Sequence, residues 1–166
     1  AVGAAGAAGA AGAAASKNAI INGGMQVVQR EILTLGSSTP AANAGYGVVD
    51  RFQAWATGTA VSAGTATQIT NANCGRTGYA LKLAGVTLTG SGVVYIKHRI
   101  ESINALRFKN QTTSFSVRVY HDVGSPINYT VTIRKPTASD NYASTSTIST
   151  GSATSVASAT ETLLTL

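Results

Sequence analysis

The sequence is poor in charge. Only 11% of its 166 residues are Asp, Glu, Lys or Arg, against about 25% in typical globular domains. With one cysteine, no intrachain disulfide can form. That residue, Cys74, sits in the turn-like run "NANCGRTG" and reads as a small structural residue rather than a reactive thiol. No apolar run approaches the roughly 18 residues of a membrane-spanning helix, so no membrane insertion is expected. No basic segment precedes an apolar run in the manner of a signal peptide, and the first residue is not Met. The chain therefore reads as a piece of something longer or as a processed product.

Acids are scarce too: Glu31, Asp50, Glu101, Asp122, Asp140 and Glu161 are all of them. Glycoside hydrolysis needs two carboxylates about 5–9.5 Å apart across a sugar, and none of the six falls in a suggestive motif. The two histidines, His98 and His121, have no second ligand at metal-binding spacing. "HD" at 121–122 invites a metal or triad reading, but neighbours in a strand point to opposite faces. His98 falls on the inward side of its strand and reads as a hydrogen-bonded core residue. No Gly-x-Ser-x-Gly elbow occurs. "GSG" and "GSS" are turns with no following helix to make a phosphate site. The expectation is a protein that is not an enzyme and holds no metal or cofactor.

The net charge is +6, from twelve Lys/Arg and six acids. The basic residues are scattered, with Lys97/Arg99 and Arg107/Lys109 the densest groups, rather than massed along one helix as in a nucleic-acid binder. Nucleic acid is not the expected partner, and an acidic surface glycan suits the charge at least as well.

The sequence is rich in Ala, Gly, Ser and Thr. Residues 1–16 hold Gly3, Gly6, Gly9 and Gly12 with little but Ala between them. Glycine at every third position is the collagen rule, because only glycine fits where three chains meet. Four such glycines without proline are too few for a stable triple helix. The segment reads as the end of a longer collagen-like stalk, which would imply a trimer, or as a flexible linker.

Residues 17–166 read as one domain, β throughout. A domain of about 150 residues buries about 68–70% of its unfolded surface. "YALKLAG" sets Tyr79, Leu81 and Leu83 against Lys82. "VVYIKHRIE" sets Val94, Ile96, His98 and Ile100 against Tyr95, Lys97, Arg99 and Glu101. "SFSVRVY" buries Phe115, Val117 and Val119, and "NYTVTIR" buries Tyr129, Val131 and Ile133. Each alternates with period 2, the mark of a half-buried strand. Turn signals at 88–92, 121–126 and 135–141 separate them. The expected fold is all-β, an antiparallel jelly roll or β-sandwich. "GGMQVVQREIL" competes between helix and strand and is read as irregular to strand. The apolar ending "LLTL" suggests that the domain continues.

The order of several short motifs carries a resemblance. "NAIINGGMQVVQRE" and "YGVVDRF" supply Asn18, Asn22, Gly23, Gln29, Arg30, Tyr46, Asp50, Arg51 and Phe52. "KHRIES" and "TTSFSVRVY" supply Arg99, Ile100, Glu101, Ser114 and Phe115. In this order they resemble a family of bacteriophage virion and tail-fibre proteins with a carbohydrate-binding-module-like jelly roll. Met25 stands where that family usually has an aromatic, and Phe52 where Trp is commoner.

The resemblance implies a virion component, a tail or head fibre, often homotrimeric, that meets host-surface glycan or docks to other virion proteins. A structural Ca²⁺ is compatible with such jelly rolls, but no clustered Asp/Asn loop calls for one. A non-viral collagen-like adhesin or filament protein is the alternative, and a polysaccharide depolymerase a more distant one.

Sugar recognition needs aromatic faces with polar groups beside them. Tyr95, Tyr120 and Tyr142, with Arg118 and Asn128, are the candidate glycan-binding residues, and Asn141 lies near. Trp55 is an aromatic candidate too, but it follows the buried-looking "DRF" and is expected in the core. Asp50–Arg51 and Arg99/Glu101 are expected to act structurally, as charge-assisted pairs or caps fixing strand ends.

Overall fold

The structure is a computed structural model, and it describes residues 18–29, 33–35, 49–57, 64–70, 77–87, 92–139 and 141–166. The Gly/Ala tract, Glu31, Arg30, Tyr46, Cys74 and Asp140 lie outside these residues.

The protein is all-β, and every strand pairing among the described residues is antiparallel. The strands are β1 (Leu33–Leu35), β2 (Phe52–Thr57), β3 (Gly64–Thr70), β4 (Tyr79–Ala84), β5 (Val93–His98) and β6 (Ser116–Val119). They continue as β7 (Ile127–Tyr129), β8 (Thr132–Pro136), β9 (Thr145–Thr150), β10 (Thr154–Val156) and β11 (Thr162–Thr165).

The pairings nest. β3 pairs with β4 and, outside them, β2 pairs with β5. The first half is thus a chain folded back on itself, an N-terminal ribbon, with β1 added along β3. In the second half β8 pairs with β9, β7 with β10 and β6 with β11. Backbone bonds also join the residues between these ladders, with small shifts of register: Gly151 N–H donates to the Val131 carbonyl at 2.9 Å, and Ala159 N–H to that of His121 at 2.7 Å. Phe115 and Leu166 exchange both backbone bonds at the open end. The result is a long two-stranded C-terminal ribbon turning over at residues 138–143.

Sequence alternation explains the C-terminal ribbon. Phe115, Val117, Val119, Ile127, Tyr129, Val131 and Ile133 are all half-buried, and the residues between them within each strand are exposed. Across from them Leu164 faces Val117 and Val156 faces Ile127, and both are buried. The expected single strand "NYTVTIR" is in fact two, β7 and β8, broken after Tyr129. A bulge follows: Ile133 faces Ser149 and Arg134 faces Thr147, which leaves Ile148 as the extra, exposed residue. A bulge adds one unpaired residue and sharpens the local twist.

The N-terminal ribbon packs differently. β2 has Phe52, Gln53, Ala54 and Ala56 buried, so both faces are covered near its start. Small side chains let neighbouring backbone approach closely there. On β5, Ile96 was expected to point inward, yet it is 54% exposed. β5 pairs only with β2 among the described residues, so Ile96 stands at a sheet edge opposite the much smaller Ala54.

Between the ribbons runs a short helix α1 (Ser102–Ala105), followed by a 3₁₀ turn at Leu106–Phe108. Alternation is lost after Glu101, which is the only signal of it in the sequence. The "GGMQVVQREIL" segment is irregular as far as Gln29, and β1 follows. No helix among the described residues is long and apolar enough to cross a membrane.

Candidate functional site: an aromatic and basic face on the N-terminal ribbon

The leading segment, residues 18–29, fixes the frame of the site. Asn22 adopts a left-handed backbone, φ 57°, which Asn tolerates better than most residues. Its side chain receives the Val27 N–H at 3.0 Å and donates to the carbonyls of Val27 at 2.9 Å and Asp50 at 3.1 Å. Asp50 Oδ1 accepts the Gln29 N–H at 3.2 Å. Gln68 Nε2 donates to the Gln26 carbonyl at 3.2 Å. Thr77 Oγ1 donates to the Gly24 carbonyl at 2.7 Å, and a Cβ on Gly24 would sit 2.7 Å from the Thr77 methyl. That close approach requires glycine.

The motif residues Asn18, Asn22, Gly23, Gln29, Asp50, Arg51, Phe52, Arg99 and Glu101 therefore cluster around one junction. Asn18 Oδ1 accepts the Ile20 N–H at 3.0 Å. Gly23 packs its bare Cα beside Ile20. Buried Phe52 meets the His98 ring edge-on at 5.0 Å.

The charged residues at these strand ends have partners other than their neighbours in sequence. Arg51 pairs with Glu101 at 2.6 Å, Asp50 caps backbone, and the Arg99 guanidinium lies 5.1 Å from the Tyr142 ring centre.

His98 is half-buried, not a full core residue; its Nε2 lies 3.1 Å from the Ile21 carbonyl. Burial pushes its pKa below the ordinary 6.5, and Arg51 adds to this, while the Ile21 carbonyl opposes it. The more deeply buried histidine is His121. Its Nε2 donates to the Val156 carbonyl at 2.9 Å, and Nδ1 receives the Val123 N–H at 3.4 Å. With both ring nitrogens bonded to backbone, His121 acts as a brace across the C-terminal ribbon, and Asp122 beside it is exposed.

Strand β5 presents Tyr95 and Lys97 on one face, and Arg99 follows in the same alternation. Register places Trp55 opposite Tyr95 and Gln53 opposite Lys97. The Trp55 and Tyr95 rings stack with centres 5.0 Å apart and planes inclined by 14°. Such pairs contribute about 0.5–1.5 kcal/mol beyond their buried area. Lys97 Nζ lies 5.9 Å from the Trp55 ring centre, within cation–π range.

Trp55 is not the core residue expected of it: it is half-buried, because its cross-strand partner is the 42% exposed Tyr95. Its Nε1 is buried and makes no hydrogen bond among the described residues. Lys97 is half-buried, which lowers its pKa, and Arg99 and then Arg134 on β8 lower it further.

The other candidate glycan-binding residues are spread out. Tyr142 is half-buried in the turn of the C-terminal ribbon; its hydroxyl donates to the Ile100 carbonyl at 3.0 Å. That bond, with Arg99 on the ring, ties the turn to the end of β5. Beside it is a cleft of about 330 Å³, lined by Ile100, Ala105, Leu106, Pro136 and Tyr142 among others. Arg118 on β6 pairs with Glu161, and Tyr120 just beyond is exposed. Asn128 on β7 is exposed opposite Ser155.

The structure thus joins Tyr95 to Trp55 and Lys97, and Tyr142 to Arg99. Arg118, Tyr120 and Asn128 lie on the C-terminal ribbon. Sequence reasoning weighed Trp55 for this role and set it in the core instead; the alternation of Tyr95, Lys97 and Arg99 was visible, but the opposing strand was not.

Among the described residues no group of three His, Cys, Asp or Glu is placed to hold a metal ion. The arrangement offers an aromatic surface with cations beside it, which suits binding. No known protein family, curated protein or solved structure matches this chain.

Proposed function

We propose that the chain is a non-enzymatic binding module of a virion fibre, of tail or head, that recognises host-surface glycan. The observation that carries this reading is the Trp55–Tyr95 stack, with Tyr95 turned to solvent and a lysine beside it. Sugar C–H faces stack on such rings, and the flanking polar groups orient the sugar. The nested strand pairing supports the jelly-roll part of the reading, since a jelly roll is a folded antiparallel ribbon wrapped into two sheets.

The fibre would be a homotrimer. Ile103 is 72% exposed and Leu106 64% exposed, on the connector between the ribbons. Apolar side chains grouped on a surface mark contact sites, and a neighbouring copy would cover them. The resemblance of the motif order and the Gly-x-x tract support the same assignment.

Two measurements test it. Size-exclusion chromatography with light scattering should give three chains per particle; a monomer removes the fibre reading. Affinity electrophoresis in gels containing host polysaccharide should retard the protein, and Tyr95→Ala should reduce retardation about tenfold, in line with about 1.4 kcal/mol of lost binding. Mobility unaffected by any host polysaccharide would rule out the glycan role.

A further inference from the structure

Helix α1 lies beside the junction where the leading segment docks. Glu101, which caps α1, pairs with Arg51 there, and the Ile21 carbonyl meets His98 a few residues before the helix. The Gly-x-x tract precedes that leader in the chain. Three copies gathered by their tracts would therefore meet first at the end of the domain that carries α1.

The helix has two unlike sides. Residues three and four apart share a side, and Ser102, Ala105 and Leu106 all line the cleft of about 330 Å³, which Pro136, Ser139 and Tyr142 also line. Ile103 is outside that lining and is 72% exposed. The surface of the cleft is mostly carbon, and the Tyr142 hydroxyl is already bonded to the Ile100 carbonyl. An apolar cavity of about 150 Å³ takes benzene, so this cleft has room for a branched aliphatic side chain.

We propose that Ile103 of each copy inserts into this cleft of the next copy. The inference rests on the trimeric fibre reading and deepens it by naming the contact. Symmetry is its ground. A closed ring of three needs a heterologous contact, in which two different patches of one chain meet. A protruding isoleucine and an apolar cleft on different sides of one helix are such a pair. A two-fold dimer would set one patch against itself. The driving force is apolar burial, since Ile103 and Leu106 both leave water in this contact.

The test is a disulfide that can form only between copies. Two full-length variants are made in a Cys74→Ala background, one with Ile103→Cys and one with Ser139→Cys, and they are co-expressed and oxidised. A disulfide requires Cα atoms closer than about 7 Å. Linked pairs should appear on a non-reducing gel, with mass spectrometry locating the bond between positions 103 and 139. Either variant alone should stay unlinked. Light scattering over a dilution series supplies a second readout. Ile103→Asp should raise the concentration at which trimers dissociate at least about tenfold. Ile148→Asp, at a 60% exposed isoleucine on the C-terminal ribbon, should leave it unchanged.

Linkage in the Ile103→Cys variant alone would mean that Ile103 meets its own copy, and overturns the inference. A trimer without the 103–139 bond overturns it too, as do equal effects of Ile103→Asp and Ile148→Asp, and each leaves the fibre reading standing. A parent chain that is not trimeric removes the fibre reading and this inference together.

Discussion

The two ribbons solve the same problem by different means. Two strands alone are marginal in water and need a third element or a packed face. The N-terminal ribbon gains both from its leading segment and from β1. Asn22, Thr77 and Gln68 tie side chains to backbone across residues far apart in sequence. Its buried positions are mostly small: Ala54, Ala56 and Ala66, with Val49 and Phe52. The C-terminal ribbon has one alternating apolar face, with Val156 and Leu164 buried and His121 as a polar brace. Directed polar bonds hold the first, and apolar burial along one face holds the second.

That contrast can be broken most sharply in the C-terminal ribbon. Leu164 is buried opposite Val117, and Leu164→Ala should cost about 3 kcal/mol through lost burial and the cavity left behind. Chemical denaturation should show a lower midpoint with an unchanged slope. A loss below about 1 kcal/mol would mean that this face contributes little.

In the N-terminal ribbon the equivalent weak point is polar. Asn22→Ala removes three hydrogen bonds and places alanine at a positive φ, for an expected loss of about 2 kcal/mol. Amide hydrogen exchange should then rise first in residues 22–29 and 49–52, with the C-terminal ribbon still protected. Uniform acceleration across both ribbons would show that the two do not act as separate units.

The smallest expected effect is a pH dependence confined to the first ribbon. The folded pKa of His98 lies below its ordinary value, so the unfolded chain takes up that proton more readily. Stability from this group is therefore full above about pH 6.5 and falls as acid carries the pH down through the lowered folded pKa. Between about pH 7 and about pH 5, His98→Gln should lose less melting temperature than the parent chain. An identical slope in both would assign the acid sensitivity to other groups.

Much of this was legible before any coordinates. The alternation in "SFSVRVY" marked a strand and its buried face, "YALKLAG" marked a strand, and Asp50, Arg51, Arg99 and Glu101 were expected to act structurally. The partners were not legible. Arg51 bonds Glu101, fifty residues on, because the pairing of β2 with β5 brings the start of one strand beside the end of the other. Trp55 was expected inside, since a large aromatic after a buried start fits a core, and only the facing residue shows why it is half-exposed. His98 and His121 were weighed on strand parity alone. The brace made by His121 depends on the Val156 carbonyl, which comes from the far arm of the ribbon.

The sequence by itself determined the strand character, the alternating faces and the scarcity of acids, because these follow from residue type and a period of two along one chain. Tertiary structure decided which strands nest, and so that Tyr95 meets Trp55 beside Lys97 and that the C-terminal turn is tied to β5 by Tyr142. Those pairings join residues distant in the chain. Their choice rests on the summed free energy of closing loops and matching registers, which no local pattern contains.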